Sequence, residues 1–510
     1  FFYARVGFTN YIIYLLPITH YQLLIMRKIS ELLEAFPRVV KRVDRGRKDI
    51  EITSLTADSR QVEKGSLFAA IRGVEQNGED YIAAAKKAGA SAILTRDDVE
   101  PLKGIVHLAT DNERKMLAKM AGYFYPTETL KTVAVTGTNG KTSTSEFFRQ
   151  LLEIEGSKAA SIGTMGLGAN SIKGLDVPAI NTSPDPVLLH QTLQHLEEKG
   201  AEAVALEASS HGLHQHRMDG VKLMAAAFMN LSRDHLDYHK TEKAYFEAKL
   251  RLFAYILPRG QTAVLNKDDK YYADIRKMCD LRKHKVVTFG QDETADYILK
   301  QIHKTPHGME IRLRLNGQAV ESSLPLIGDF QVMNLMAALG LAEACGHDLL
   351  TLTHGLRELK PVRGRMEQAA PGIYVDYAHT PDALEKALKT MGEHCQGRIG
   401  IVMGCGGDRD KGKRVPMGRI ASDFSQFAFI TDDNPRTEDA SQIRAQVMAG
   451  ATGKHCQEVP GRRNAIEAAV NEMRDGDMLL IAGKGHETYQ IIGDETHDFD
   501  DAAVVRELVQ

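Results

Sequence analysis

The segment from Gly137 to Thr142 reads Gly-Thr-Asn-Gly-Lys-Thr, and these residue types can bind a phosphate chain. Its glycines let backbone N–H groups approach phosphate oxygens, the lysine supplies a cation for the β- and γ-phosphates, and the last threonine offers a hydroxyl to Mg²⁺. An apolar run, Thr132–Thr136, precedes it, and a helix-period stretch, Ser143–Ile154, follows. The full motif has another glycine where this chain has Val135, so this is the short form. The sequence predicts a nucleotide-phosphate loop; the alternative is a glycine-rich turn with a surface lysine.

Two polar residues after later apolar runs are candidates for binding a metal ion. Glu207 follows the run Ala203–Leu206, and His235 lies in the polar cluster after Ala225–Met229. A carboxylate at a strand end can hold Mg²⁺ through oxygen. Taken singly, Glu207 could instead cap a helix and His235 could be structural. Lys249, on a predicted helix, indicates by itself only a solvated surface lysine.

The segment Asp433-Asn-Pro-Arg436 has the residue types of an amino-acid site. Its proline, Pro435, fixes a turn from which an acidic, an amide and a guanidinium side chain project. Because a guanidinium grips a carboxylate through two parallel hydrogen bonds, the set fits a ligand with both an ammonium and a carboxylate group. Other arginines in or beside loops, which singly are more often surface charges, are Arg217, Arg365 and Arg409. The charge run from Asp408 to Arg414 can also be a solvated loop.

Each of these polar clusters directly follows an apolar run of strand length. Further runs that end in polar residues are Thr262–Leu265, Ile401–Met403, Phe427–Thr431 and Met478–Ala482. Helix-period segments such as Val187–Lys199 lie between the runs. Alternating strands and helices predict largely parallel sheets with helices on both faces, in which ligands bind beyond the carboxyl ends of the strands.

The length of 510 residues predicts about three domains. We expect an α/β protein with an N-terminal domain over 26–130, a central parallel-sheet domain with the phosphate loop over 131–360, and a C-terminal Rossmann-like domain over 361–510. Residues 1–25 contain many aromatics, a single charge and no initial Met, and are too interrupted for a spanning helix of about 20 apolar residues. We expect a non-native or disordered leader there, with natural translation starting at Met26; the alternative is a peripheral membrane anchor.

Composition argues against several classes of protein. The formal net charge of -3 disfavours broad binding to nucleic acid or to anionic membranes. The cysteines are five, an odd number, and have no CxxC spacing, which disfavours a disulfide framework or zinc site and favours a reducing compartment. We therefore expect a cytoplasmic protein without stable membrane insertion.

Taken together, the motifs resemble those of the Mur ligase family, the ATP-dependent amide-forming enzymes of bacterial cell-wall precursor synthesis. The similarity covers about residues 26–510 and is strongest to the member that adds the third amino acid. The motifs that carry it are TGTNGKT at 136–142, EASSHGL at 207–213, NLSRDHLDYH at 230–239, GRME at 364–367, DYAHTPDAL at 376–384, GCGGDRDKGKR at 404–414, DNPR at 433–436 and GKGHE at 483–487.

The resemblance implies a role for each matching residue around the nucleotide. The ATP-binding set would be Gly137, Thr138, Asn139, Gly140, Lys141, Thr142, Ser143, Asn266, Asp269 and Asn334. The catalytic set would be Lys141, Glu207, His235 and Lys249, and the Mg²⁺ ligands would be Thr142, Glu207, His235 and Lys249. Lys249 matches the lysine that this family carbamylates, which reverses its reading as a solvated lysine. Gln331 stands where the family usually has Asn.

The resemblance also implies the binding of two further substrates. The UDP-N-acetylmuramoyl dipeptide would meet Ala57, Ser59, Val74, Glu75, Gln76, Asn181, Thr182, Ser183, Ser209, Gln215 and Arg217. The incoming amino acid, meso-diaminopimelate, would meet Arg409, Asp433, Asn434, Pro435, Arg436, Gly483 and Glu487. The family usually has Leu at position 57 and Thr at position 183. Arg436 would pair with the distal carboxylate of diaminopimelate, which lysine lacks.

The implied reaction is attack of a substrate carboxylate on the γ-phosphate of ATP, followed by attack of the amine on the resulting acyl phosphate. Two Mg²⁺ ions and Lys141 would neutralise the charge that develops. We expect a monomer. The alternatives are a lysine-adding sibling ligase, a P-loop ATP hydrolase and a non-catalytic nucleotide-binding module.

Overall fold

The computed structural model describes residues 26–42, 49–73, 76–175, 182–232 and 234–509. It divides the chain into two compact units. The first takes its described residues from 1–127, 185–194 and 215–220, and the second from 128–184, 195–214 and 221–510. The expected leader, residues 1–25, lies outside the described residues. The predicted domain boundaries at 130 and 360 stay predictions.

The first unit is built around a five-stranded sheet with strand order β2-β7-β6-β5-β4. Strands β4 to β7 are parallel and β2 is antiparallel to β7. Its elements are β1 (Arg27–Lys28), α1 (Ile29–Ala35), β2 (Val40–Arg42), β3 (Glu51–Ile52), β4 (Ser54–Thr56), β5 (Ser66–Ala69), α2 (Ile82–Ala88), β6 (Ala92–Arg96), β7 (Val106–Thr110) and α3 (Glu113–Phe124).

The second unit contains a ten-stranded sheet with order β10-β9-β11-β8-β12-β13-β14-β15-β16-β17. Strands from β9 to β15 in this order are parallel, whereas β10 at one edge and the β15–β17 meander at the other are antiparallel. Its strands are β8 (Lys131–Thr136), β9 (Ala159–Gly163), β10 (Gly166–Gly168), β11 (Ala203–Glu207), β12 (Leu223–Phe228), β13 (Thr262–Asn266), β14 (Lys285–Gly290), β15 (Tyr297–Thr305), β16 (Gly308–Leu315) and β17 (Gln318–Leu324).

Helices lie between these strands in the chain. They are α4 (Lys141–Ile154), α5 (Pro186–Glu198, which begins in the first unit), α6 (Ser210–His214), α7 (Leu236–His239), α8 (Glu242–Arg251), α9 (Tyr272–Leu281), α10 (Asp329–Ala344) and α11 (Leu349–His354), with a π-helical turn at Leu252–Ile256. Helix α10 is buried along most of its length and packs on α4 and the sheet, which explains why its sequence is apolar nearly all round. None of the helices in the described part of the chain combines the length and apolar character needed to cross a membrane.

A six-stranded sheet with order β18-β19-β23-β20-β21-β22 follows in the second unit. It is parallel except for β18, which is antiparallel to β19. The elements are β18 (Glu367–Ala370), β19 (Ile373–Asp376), α12 (Pro381–His394), β20 (Ile399–Met403), α13 (Arg414–Phe424), β21 (Phe427–Ile430), α14 (Ala440–Met448), β22 (Cys456–Glu458), α15 (Arg462–Glu472), β23 (Met478–Ala482), a hairpin of β24 (Tyr489–Ile492) and β25 (Glu495–Asp498), and α16 (Asp501–Leu508).

The strand order explains how the predicted polar clusters converge. Strands β11, β8, β12 and β13 are neighbours and parallel, so the clusters after them share one edge of the ten-stranded sheet. Strands β23, β20 and β21 do the same in the six-stranded sheet. The α/β fold class with parallel sheets is therefore confirmed, and in each sheet the polar clusters that the sequence predicts to bind ligands lie at the carboxyl edge of the strands.

Candidate active site

The phosphate loop, Gly137–Thr142, connects β8 to α4 and is shaped by the segment that follows β12. The Thr138 N–H donates to the Asn230 carbonyl and the Asn139 N–H to Asn230 Oδ1, each at 2.9 Å. Gly140 caps α4 at φ 88°, and a Cβ there would lie 2.4 Å from Asn334 Oδ1. A side chain at position 140 would therefore meet both backbone strain and a steric clash, so the loop requires this glycine. Thr142 and Ser143 are buried in the first turn of α4.

Two lysine ammonium groups donate to the backbone of this loop. Lys141 Nζ donates to the carbonyls of Gly137 at 3.0 Å and Thr138 at 2.9 Å, and Lys249 Nζ donates to the Gly137 carbonyl at 2.7 Å. The interpretation of Lys249 as a solvated helix lysine is wrong, because this residue is only 1% exposed. Burial lowers the pKa of Lys249 well below its usual value, and the charge of Lys141 lowers it further. Burial also lowers the pKa of Lys141, while the Glu207 carboxylate opposes that shift.

Glu207 ends β11 with its carboxylate buried and bound to a neighbouring strand end. Oε1 accepts the Thr164 N–H at 2.9 Å, and Oε2 accepts the Thr164 hydroxyl at 3.1 Å. A Cβ at Gly163 would lie 2.0 Å from Oε1, so the glycine leaves room for the carboxylate. These contacts do not support a helix-capping role for Glu207.

His235 adopts a left-handed backbone conformation at φ 52°, just before α7. Its side chain is 46% exposed, and its ring lies against Tyr245 and His211. Burial lowers the pKa of the His235 imidazole, and the positive charges of Lys141 and Lys249 lower it further. The negative charge of Asp234 acts in the opposite direction and raises it. The structure thus brings together all four predicted catalytic positions of the central sheet.

The predicted adenosine-binding residues stabilise the same loop system. Asn266 Nδ2 donates to the Met229 carbonyl at 2.7 Å, and Asp269 Oδ2 accepts the Leu231 N–H at 2.9 Å. Both contacts hold the segment after β12 on which the phosphate loop packs. Asn334 lies beside the loop, and its side-chain amide donates to Gln331 Oε1 at 3.1 Å.

The residues predicted for the sugar nucleotide are distributed over both units. In the first unit, Ala57 and Gln76 are exposed, Ser59 is half-buried, and Arg217 donates to Gln215 Oε1 at 2.7 Å. In the second unit, three hydroxyl residues gather near Glu207, namely Thr182, Ser183 and Ser209. Val74, Glu75 and Asn181 lie outside the described residues, and the assignment of this set stays a prediction.

The segment Asp433–Arg436 forms a connected polar cluster with the segment after β23. Asn434 is its centre, since its amide donates to Glu487 Oε2 at 2.9 Å and its Oδ1 accepts from Lys484 Nζ at 3.0 Å. A Cβ at Gly483 would lie 2.7 Å from Asp433 Oδ2, which indicates a close approach of the two segments.

Arg436 is half-buried and held by the β24–β25 hairpin. Its backbone is left-handed at φ 52°, and its N–H donates to the Ile491 carbonyl at 3.1 Å. One guanidinium nitrogen donates to the Gly407 carbonyl at 2.8 Å. Gly407 approaches Pro435 so closely that a Cβ there would lie 1.9 Å from the proline carbonyl oxygen. Arg409, in contrast, is exposed.

Comparison with known proteins decides the family. Three Mur ligase profiles match the chain: the "Mur ligase family, catalytic domain" at residues 51–125, the "Mur ligase middle domain" at 135–342 and the "Mur ligase, glutamate ligase domain" at 364–485. A relative from Rhizobium meliloti, named UDP-N-acetylmuramoyl-L-alanyl-D-glutamate--2,6-diaminopimelate ligase, is 42% identical over 489 residues, which are 94% of this chain and 99% of the relative. The chain belongs to the Mur ligase family.

Other relatives and solved structures agree with this membership. A ligase of the same name from Brucella melitensis is 44% identical, over 90% of this chain and 94% of its own length. A solved structure of a ligase with that name is 34% identical with a TM-score of 0.71, covering 94% of this chain and 98% of the other. A structure of MurF from Acinetobacter baumannii, 19% identical with a TM-score of 0.59, covers 89% of this chain and 94% of that one and shares the fold.

Sequence reasoning missed several residues of this Mur ligase. Lys484 lies fully buried between Asn434 and Glu487, and burial lowers its pKa. Lys484 lies within the GKGHE motif at 483–487, so the motif itself pointed to this residue. Arg365, which singly reads as a surface charge, instead places its guanidinium 4.9 Å from the centre of the Tyr377 ring, and its charge contributes to the low pKa of Lys141. Thr164, which binds Glu207, has no recognisable motif in the sequence.

Proposed function

We propose that this Mur ligase uses ATP to add meso-diaminopimelate to UDP-N-acetylmuramoyl-L-alanyl-D-glutamate during peptidoglycan precursor synthesis. The observation that carries the proposal is the 40–44% identity, over nearly the whole chain, to eight ligases that bear this name. The buried Asp433–Arg436 cluster supports the choice of amino acid, because it offers a guanidinium beside an amide and carboxylates.

In the proposed reaction, the phosphate loop and Lys141 bind the ATP phosphates. The Lys141 ammonium, which donates to two loop carbonyls in this structure, would turn to the phosphate oxygens when ATP is bound. A substrate carboxylate then attacks the γ-phosphorus, which forms the acyl phosphate and releases ADP. The amine of diaminopimelate attacks the acyl carbon, phosphate leaves, and an amide bond is formed.

Mg²⁺ fits the donor chemistry beside this loop. Among the described residues, no three His, Cys, Asp or Glu side chains come together as a metal site. Thr142 and Glu207 would hold one Mg²⁺ ion, His235 and Lys249 as its carbamate would hold a second, and the two ions would neutralise phosphate charge. Lys249 is suited to carbamylation because its low pKa favours the neutral amine, which is the nucleophile for carbon dioxide.

We further propose that Arg436 selects diaminopimelate over lysine. Its guanidinium has a backbone carbonyl partner but no carboxylate within ion-pairing distance in the described part of the chain. The distal carboxylate of diaminopimelate would supply one. Asn266, Asp269 and Asn334 would line the adenosine site, and the sugar nucleotide would bind the residues predicted for it. We propose a cytoplasmic monomer.

The test is ADP release assayed with the muramoyl dipeptide nucleotide and a panel of amino acids. We expect release to require both the nucleotide and meso-diaminopimelate. A lysine-adding ligase would prefer lysine, and an ATP hydrolase or a motor would release ADP without any amino acid. Either result would contradict the proposal, as would nucleotide binding without turnover.

Arg436→Ala tests the selection of the amino acid. Loss of a bidentate carboxylate contact should lower the preference for diaminopimelate over lysine by about 10²-fold. Arg419→Ala, an exposed arginine on α13, is the matched control and should keep the wild-type preference. An unchanged preference in Arg436→Ala would refute the role of this arginine.

A further inference from the structure

Helices α15 and α16 are joined by an ion pair that is completely buried. Arg462 Nε donates to Asp501 Oδ1 and Arg462 Nη2 to Asp501 Oδ2, each at 2.7 Å, and both side chains have 0% exposure. Taking two charges out of water is costly, so apolar residues of similar volume would often stabilise a fold equally well. Stability alone therefore gives no strong reason for an ion pair at this position.

The other donors of the same guanidinium lead to two strand ends. Nη2 also donates to the Ala482 carbonyl at 2.9 Å, and Nη1 donates to the Asp432 carbonyl at 3.3 Å. Ala482 is the last residue of β23 and precedes Gly483, while Asp432 lies beyond β21 and precedes Asp433. One buried side chain thus holds the two strand ends from which both amino-acid-binding segments begin.

The surroundings of Arg462 strengthen this link. The Asp432 carboxylate accepts the Gly461 N–H at 2.8 Å and pairs with Arg444, so the strand end is held on several sides. Burial lowers the pKa of Arg462, but the carboxylates of Asp501, Asp433 and Glu487 raise it by more. The guanidinium therefore also attracts two carboxylates that the incoming amino acid is proposed to meet.

We propose that the Arg462–Asp501 pair is a positioning device for the amino-acid site, which sets the spacing between segments 433–436 and 483–487. The inference rests on the proposed function, because it assumes that both segments bind one amino acid. Arg462 does not need to touch the substrate. Since a displacement of about 1 Å at a binding group can cost about 10²-fold in rate, even a small shift of either strand end should be measurable.

The test uses the full chain with both charges removed, Arg462→Met together with Asp501→Leu. Replacing both partners by apolar residues avoids an unpaired buried charge but removes the donor to the Ala482 and Asp432 carbonyls, so the variant should fold and melt below the wild type. We expect KM for diaminopimelate to rise about tenfold or more, which corresponds to a partial loss of binding geometry, while KM for ATP stays unchanged. The matched control is Arg463→Gln, which breaks the exposed Arg463–Glu507 pair between the same two helices and should change neither constant.

A wild-type KM for diaminopimelate in a well-folded double variant would overturn the proposal. If the double variant does not fold, Arg462→Lys decides, because it keeps a cation beside Asp501 but a single ammonium cannot reproduce the guanidinium hydrogen bonds to both the Ala482 and the Asp432 carbonyls. A selective rise in KM for the amino acid supports positioning, and an unchanged KM refutes it. If the wild type uses a different amino acid, the proposed function fails, but the same selective change measured with that amino acid would still support this inference.

Discussion

The phosphate-loop region of the ten-stranded sheet and the amino-acid region of the six-stranded sheet differ in how they neutralise buried positive charge. Around the phosphate loop, Lys141 and Lys249 donate to backbone carbonyls, and neither pairs with a carboxylate within 4 Å among the described residues. In the amino-acid region, Arg462 pairs with Asp501 and Lys484 lies 3.4 Å from Glu487. Among the described residues, the two lysines of the first region have no carboxylate partner, whereas the two buried cations of the second, Arg462 and Lys484, each have one.

This difference matches two kinds of ligand. A triphosphate is negatively charged, and so is a carbamate. Lysine side chains without carboxylate partners can therefore bind such a group more tightly than lysines that are already paired. A zwitterionic amino acid brings both charges, so its site needs carboxylates and a guanidinium at fixed positions. Buried ion pairs cost more to break than exposed pairs and can hold such positions. The four predictions below test this contrast, from the largest expected effect to the smallest.

Lys141→Met should have the largest effect. It removes a cation aimed at the phosphates, and loss of one such group costs about 10³-fold in kcat, or about 4 kcal/mol. The measurement is ADP release at saturating substrates, with circular dichroism to check the fold. Activity within about tenfold of the wild type would contradict the assignment of this lysine.

Lys484→Met should destabilise the protein, because it leaves Glu487 and Asn434 without a buried cation. Removing one partner of a buried pair typically costs about 3–5 kcal/mol in the free energy of unfolding, and we expect the lower end because Asn434 keeps other partners and because the lowered pKa of Lys484 shows that its burial offsets part of the pairing. Urea denaturation measures it. Lys389→Met, in an exposed pair with Glu385, is the control and should be nearly neutral. Equal unfolding free energies for Lys484→Met and Lys389→Met would show that the pairing of Lys484 with Glu487 does not stabilise the amino-acid region.

Lys249→Met should do the opposite and stabilise the protein as the pH falls. The folded-state pKa of Lys249 lies below its unfolded value, so the unfolded chain binds the proton first and the wild type loses stability as the pH drops between the two values. The methionine variant lacks this loss, so its advantage in unfolding free energy should grow as the pH falls below the unfolded-state lysine pKa of about 10.4, by up to about 1.4 kcal/mol per pH unit. Melting in carbon-dioxide-free buffer measures it. An advantage that shrinks over this range would show that the folded-state pKa is not lowered.

Lys243→Gln should have the smallest effect. This lysine is on α8 like Lys249, but its side chain is 83% exposed and lies 3.9 Å from Glu247. Exposed helix pairs contribute about 0.3–0.5 kcal/mol, so the unfolding free energy and the ADP release rate should stay near wild type. A change as large as that in Lys249→Met would mean that burial does not explain the contrast between the two lysines.

Local patterns made much of the site predictable. The phosphate loop was predictable from six consecutive residues between a strand and a helix, because its glycines and its lysine are neighbours in the sequence. Glu207 and Asp433 were identifiable because each follows an apolar run, and parallel strands bring their carboxyl ends to one edge. Arg436 was recognisable from the proline and polar residues beside it.

Contacts between distant parts of the chain were not predictable in this way. Glu207 is held by Thr164, 43 residues away, and Arg462 pairs with Asp501 across 39 residues. No spacing rule marks such partners, because they depend on which strands become neighbours. Lys484 was overlooked although the GKGHE motif around it was recognised, because a lysine between glycines does not by itself indicate burial.

The amino-acid sequence by itself determined the residue types at each strand end, the α/β fold class and the phosphate loop, because these depend on short-range periodicity and backbone freedom. Local sequence pattern could not distinguish Lys243 from Lys249, two lysines six positions apart on one helix, and only the resemblance to the Mur ligase motifs singled out Lys249. Only the tertiary structure decided that one faces water and the other reaches the Gly137 carbonyl, 112 residues away in the chain. The physical reason is that the charge state of a lysine depends on its solvation and its neighbours, which exist only once the chain has folded.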